Sequence, residues 1–173
     1  MTPDLTILNG TNTHIDAAAQ IWAEATAKRD GDQDVAPLSM SRPVIQRALG
    51  SSQGSFLLIA VDQTRSPVGM ALLSASKTSN DCAELHYFAV SPTAWGRGVG
   101  KFLLEKTALE LLERRFKTAE LEVYENNRSA VELYRNHGWS ELRENLVHKE
   151  TGKRLLRFSL DLTGDELKIE RDS

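Results

Sequence analysis

The chain has 173 residues, 40% hydrophobic and 26% charged, the size and balance of one ordinary globular domain, which excludes a disordered or low-complexity protein. A formal net charge of -3 leaves no basic surface for non-specific nucleic-acid binding, and Cys82, the single cysteine, excludes an intrachain disulfide or multi-cysteine zinc site and fits a reducing compartment. Met1 to Gly10 lacks the basic start and apolar run of a secretory signal, and no stretch approaches the roughly 20 apolar residues of a membrane span, so a cytoplasmic protein with no membrane partner is expected.

Leu5 to Leu8 reads as a short strand. A helix follows from about Thr13 to Arg29, where Ile15, Ala18, Ala19, Trp22 and Ala25 recur at helical spacing and Asp16 suits the positive end. A polar loop, Asp30 to Ser39, leads to a second helix in which Ser41 is expected to cap, Pro43 to sit in the first turn and Gly50 to mark the stop. Phe56 to Val61 and Val68 to Ser74 are apolar runs on either side of the turn-like Asp62 to Pro67, which predicts a hairpin.

Ala83 to Val90 is the next strand, followed by Ser91-Pro92, a glycine-rich turn, a long helix from Gly98 to Lys117 and a strand from Ala119 to Tyr124. That strand, helix, strand order predicts a parallel pair joined by a right-handed crossover. A short helix, Arg128 to Asn136, is expected to be capped by Asn127 and stopped by Gly138. Trp139 to His148 and Arg154 to Leu162 close the series as a hairpin around Thr151-Gly152. No repeat or linker divides the chain, so residues 1–163 are read as a single domain and 164–173 as a charged, frayed tail.

The chemistry starts at Trp95-Gly96-Arg97-Gly98-Val99-Gly100-Lys101, between a strand and a long helix. The first amides of a helix have no earlier carbonyl to bond and the helix dipole is positive there, so such a turn attracts phosphate. Glycine lets the anion approach the backbone, and Arg97 and Lys101 add charge. A Walker loop would need Gly where Trp95 stands and Ser or Thr where Phe102 stands, and a dinucleotide fingerprint would need a further Gly at Lys101 or Leu103. Neither pattern is present.

Gly98 and Gly100, after a strand ending Ala89-Val90-Ser91-Pro92, match the Q/R-x-x-G-x-G/A loop, and Asn127, Ala130 and Tyr134, followed by Gly138-Trp139, match N-x-x-A-x-x-x-Y and a closing G-F/W. On these residues, within roughly Ala83 to Leu142, the chain resembles the Gcn5-related N-acetyltransferase (GNAT) superfamily. Trp95 departs from the usual Gln or Arg. The resemblance implies an α/β fold with a mixed, mostly antiparallel sheet of about seven strands flanked by about four helices, one parallel pair splaying apart. It implies an enzyme that transfers an acetyl group from acetyl-CoA to a primary amine of a small molecule or a protein, without metal. Backbone amides from about Arg97 to Lys101 would hold the coenzyme A pyrophosphate, Val90 would pair with the pantetheine and the Phe88 amide would face the acetyl carbonyl, with Ala89 between them, and Trp95, Gly96, Asn127, Ala130 and Tyr134 complete the expected cofactor-binding set. A non-catalytic acyl-CoA sensor is the other reading, and a homodimer is left open because many relatives are dimers.

Acetyl transfer to an amine needs a neutral nucleophile, a polarised carbonyl and a proton for the departing thiolate. By the resemblance Tyr134 is the acid. Strand alternation puts Glu84, His86, Phe88 and Val90 on one face and Leu85, Tyr87 and Ala89 on the other. Glu84 occupies a position where some relatives carry a glutamate base, and His86 is the alternative base, as is water. His14, His137 and His148 have no metal spacing, and Asp30-Gly31-Asp32-Gln33-Asp34 fails as a calcium loop because Val35 and Ser41 replace its Gly and closing Glu.

Overall fold

The computed structural model describes residues 4–164. In chain order they form β1 (Thr6–Asn9), α1 (Ile15–Asp30), α2 (Leu38–Leu49), β2 (Phe56–Val61), β3 (Pro67–Ala75), β4 (Cys82–Val90), a short 3-10 turn (Pro92–Ala94), α3 (Val99–Glu113), β5 (Thr118–Tyr124), α4 (Arg128–Asn136), β6 (Ser140–Val147) and β7 (Arg154–Asp161). The strands form one sheet in the order β1-β2-β3-β4-β5-β7-β6. β1 with β2, β2 with β3, β5 with β7 and β6 with β7 are antiparallel, and β4 with β5 is parallel. This is the expected mixed α/β sheet. The parallel ladder joins Cys82–Leu85 to Thr118–Leu121, although β4 continues to Val90 and β5 to Tyr124.

The chain divides into two compact units, with the boundaries falling inside β3, β4 and α3. One runs to Ser74 and takes in His86–Thr107; the other takes in Ala75–Leu85 and the chain from Ala108 onward. In the first, Ala18, Ala19 and Ile21 of α1 and Ile45 of α2 cover Leu57, Ile59, Val61, Met70, Leu72 and Ala89 of the sheet. All six residues of β2 are buried, which is why the strand reads as an unbroken apolar run rather than an alternating one. In the second, Ala119, Leu121 and Val123 alternate with more exposed residues along β5, and Tyr134 packs its ring against Phe158 and Trp139, each at 5.9 Å.

Local chemistry shifts four of the expected boundaries or caps. Ser41 does not cap α2. Pro37 holds the extended backbone of a cap residue, its carbonyl accepts from the N–H groups of Met40 and Ser41, and the helix starts at once with Leu38. Ser41 is therefore in the helix body, buried, with its Oγ lacking a hydrogen-bond partner, and Pro43 lies inside the helix rather than in its first turn. Asp16 is held by Arg42, whose Nε and Nη2 donate to the two carboxylate oxygens at 2.6 and 2.8 Å.

α3 ends at Glu113, short of Lys117, because Arg115 adopts a left-handed φ of 68° while the Phe116 N–H reaches back to the Leu111 carbonyl. That bond pattern is the usual glycine stop, built here on an arginine. Asn127 stands at the start of α4 but makes no side-chain cap; its Oδ1 accepts from Ser129 Oγ at 3.4 Å instead. Gly138 does end α4, with φ 87°. Beyond Gly164 the expected tail lies outside the described residues.

Candidate active site

In the first unit the glycine turn is built from both ends. On the helix side Val99 and Leu103 are buried, so the start of α3 is fixed by packing while Arg97 and Lys101 point to solvent. Gly69 of β3 permits that packing, since a β-carbon there would stand 3.2 Å from Leu103 and 3.3 Å from Val99. Gly96 and Gly98 have φ of 76° and 80°, a conformation that costs a side-chain-bearing residue about 1 to 2 kcal/mol. A β-carbon at Gly96 would meet nothing within 4 Å, so backbone conformation rather than packing demands glycine there. The first intrahelical bond is from the Phe102 N–H to the Gly98 carbonyl at 3.1 Å, and the amides of Val99, Gly100 and Lys101 precede any carbonyl the helix can offer. Lys101 has only a loose pairing with Glu105 at 4.0 Å. An anion beside these amides meets oriented N–H groups, a helix dipole and two exposed cations.

Upstream of the turn, β4 carries His86, Phe88 and Val90 in this unit. His86 is exposed, and its Nε2 lies 2.7 Å from Ser74 Oγ on β3, a partner the sequence does not announce. One imidazole nitrogen is thus committed to a protein hydroxyl. Phe88 and Val90 are half-buried, Ala89 is buried among core residues, and Tyr87 meets Trp22 edge-on at 5.7 Å. The alternation expected along β4 holds for burial at Leu85 and Ala89, whereas Tyr87 is half-buried like Phe88. Trp95, at the position that departs from the family pattern, donates its indole N–H to the Val90 carbonyl at 2.8 Å.

The second unit contains Glu84, Asn127, Ala130 and Tyr134. Glu84 is half-exposed and lies directly opposite Glu120 in the parallel register; burial pushes the neighbouring Cys82 thiol up, a hydrogen bond with Thr118 opposes it, and the two carboxylates add a smaller upward push. Glu120 is a neighbour that no reading of β4 alone reveals. Asn127, Ala130 and Tyr134 follow at three- and four-residue spacing, which places them on one side of α4. Val131 and Tyr134 are the buried residues of that helix. His137 holds the C-terminal end, its Nδ1 2.7 Å from the Leu133 carbonyl.

Burial raises the Tyr134 phenol well above its ordinary range, so the hydroxyl keeps its proton throughout the pH range of normal enzyme activity. The sign is fixed by linkage. In the unfolded chain the phenol ionises near pH 10, whereas in the folded protein it stays neutral, so its contribution to stability is intact below about pH 10 and declines by about 1.4 kcal/mol per pH unit above it. Denaturant unfolding across this range is expected to show that extra alkaline loss in wild type and not in Tyr134→Phe; parallel pH profiles would contradict it.

Among the described residues no group of three or more His, Cys, Asp or Glu is placed to hold a metal ion, and no helix is long and apolar enough to cross a membrane. Residues 16–139 match the family described as Acetyltransferase (GNAT) family. The chain is 36% identical over 109 residues to a [Ribosomal protein bS18]-alanine N-acetyltransferase of Haemophilus influenzae, covering 61% of this chain and 72% of that protein. Among solved structures, it superposes on the ribosomal-protein-S18-alanine N-acetyltransferase from Escherichia coli with a TM-score of 0.69 at 23% identity, over 94% of this chain and 98% of that one. It superposes on the spermidine N-acetyltransferase from Vibrio cholerae in complex with CoA and spermine with a TM-score of 0.73 at 14% identity, over 92% and 96%. These two structural likenesses establish the fold; the sequence match, running from α1 to the residue after Gly138 and through both glycine turn and α4, establishes the family, and the chain is a member of the GNAT acetyltransferases.

Proposed function

We propose that this chain transfers the acetyl group of acetyl-CoA to a primary amine as a single domain, with an amino-terminal α-amine of a protein as the preferred acceptor. The observation that carries the reading is the turn at Gly96 to Lys101: two left-handed glycines lead from β4 and its short 3-10 turn into α3, whose first amides precede any carbonyl the helix can offer. That chemistry fits a pyrophosphate. The protein acceptor is supported by the Haemophilus relative, named for alanine of a ribosomal protein, and the same name supports a cytoplasmic setting. The family match runs through both compact units, which supports treating them as one catalytic domain.

In this reading the amides from Arg97 to Lys101 bind the pyrophosphate, the backbone of Val90 aligns the pantetheine and the Phe88 N–H polarises the thioester carbonyl. Tyr134, kept neutral by burial, gives its proton to the leaving sulfur. Glu84 accepts the proton of the amine. His86, whose Nε2 lies 2.7 Å from Ser74 Oγ, is the second candidate. Asn127 and Ala130 form the rest of the α4 side that carries Tyr134.

The test is a panel of acceptors assayed for release of free coenzyme A thiol: peptides with a free amino-terminal alanine, acetyl-capped lysine peptides, and polyamines. Thiol release is expected to be fastest with the free amino-terminal peptides. Faster release with polyamines would overturn the protein-acceptor reading, and no release with any acceptor would count against the enzyme as proposed. With the best acceptor, Glu84→Gln is expected to slow turnover at neutral pH by about a hundredfold and to regain activity as the amine deprotonates unaided at higher pH. An unchanged pH profile would pass the role to His86, tested by His86→Ala.

A further inference from the structure

Trp95 is 45% exposed, although an indole gains most from being covered. Its polar edge is nevertheless fixed: Nε1–H donates to the carbonyl of Val90, the last residue of β4, at 2.8 Å. Within this five-residue interval Ser91 Oγ also lies 3.3 Å from Thr93 Oγ1, a bond that does not reach Trp95, and backbone bonds supply further contacts. The Ser91 N–H bonds the Val68 carbonyl at 2.8 Å, the Ala94 N–H bonds Ser91 at 2.8 Å and the Trp95 N–H bonds Pro92 at 3.2 Å. The indole bond therefore ties the end of the strand to the first residue of the turn. Immediately beyond it come Gly96 and Gly98, each with a left-handed φ, on either side of the exposed Arg97. Glycine has the widest conformational freedom of any residue, so amides carried on such a segment converge only if both of its ends are fixed. Val99 and Leu103, buried, fix the helix end.

We infer that Trp95 is a positioning residue for phosphate recognition: its indole N–H fixes the strand end of the glycine turn, so that the amides from Arg97 to Lys101 already point one way before the coenzyme arrives. The inference rests on the proposed acetyl-CoA site. It assigns Trp95 no contact with the ligand. Its contribution is preorganisation, which lowers the ordering cost of binding and leaves the chemical step alone.

The test compares Trp95→Phe, which keeps an aromatic ring and deletes the donor, with Trp95→Gln, whose amide nitrogen stands the same number of bonds from Cα as the indole nitrogen. Coenzyme A affinity is read by titration calorimetry and the stability of the free protein by thermal unfolding. Loss of one hydrogen bond that orders the turn is expected to weaken coenzyme A binding by about tenfold in Trp95→Phe, while Trp95→Gln stays within about threefold of wild type. Turnover at saturating acetyl-CoA and the KM for the acceptor are expected to remain at wild-type values in both. Wild-type affinity in Trp95→Phe, equal weakening in both variants, or a fall in turnover at saturation would each overturn the assignment. Absence of coenzyme A binding by wild type would overturn the acetyltransferase reading itself, and this inference with it. Should Trp95→Phe fail to fold, hydrogen exchange at the Trp95 indole of the wild-type protein decides: protection in the ligand-free protein supports the bond, and exchange at the rate of free indole overturns it.

Discussion

Gly98→Asp is expected to abolish stabilisation by acetyl-CoA while leaving the free protein folded. Gly98 has a φ of 80°, and among residues with a side chain Asp and Asn tolerate that conformation best. The substitution therefore places a carboxylate beside the amides of α3 at modest conformational cost. A carboxylate there occupies the donors itself and repels the pyrophosphate. Wild type at a hundredfold excess of acetyl-CoA over Kd should gain about 2.7 kcal/mol, or roughly 5 to 10 °C in thermal midpoint for a chain of this size. Gly98→Asp should gain nothing. Gly98→Asn separates charge from conformation and should keep part of the shift. A folded Gly98→Asp protein stabilised as much as wild type would show that the phosphate site lies elsewhere.

Tyr134→Phe is expected to reduce the single-turnover rate by roughly a hundredfold, the usual contribution of one positioned acid, with coenzyme A affinity unchanged. The ring survives the substitution, so its packing against Trp139 and Phe158 at 5.9 Å is kept. What disappears is a proton that burial holds on the oxygen. Steady-state turnover falls by less if product release is slow, which is why the single-turnover experiment is the decisive one. An unchanged single-turnover rate on folded protein would assign Tyr134 to packing and leave water as the proton source. The alkaline stability difference would persist in that case, because it depends on burial and not on catalysis.

Short-range signals made much of this protein legible in its amino-acid order. The apolar run of β2, the succession of strand, helix and strand from β4 through α3 to β5, the glycines of the turn and the α4 stripe of Asn127, Ala130 and Tyr134 are read element by element from residues within a few positions of one another. Local periodicity and the backbone freedom of glycine are properties of the chain itself. The start of α2 and the end of α3 were less legible because the deciding residues are unusual for their jobs: a proline precedes the one and a left-handed arginine stops the other.

What only the tertiary structure decided is which side chains are committed to partners distant in sequence. His86 is tied to Ser74, twelve positions earlier, because β3 and β4 bring them within 2.7 Å. Glu84 faces Glu120 through a parallel register that no local pattern specifies. Tyr134 is buried, its ring beside Phe158 of β7 and Trp139, only once the chain has packed, so the rise in its pKa is a property of the packed state. Such effects arise from desolvation and from hydrogen bonds made after the chain has folded, and they are invisible to composition and spacing.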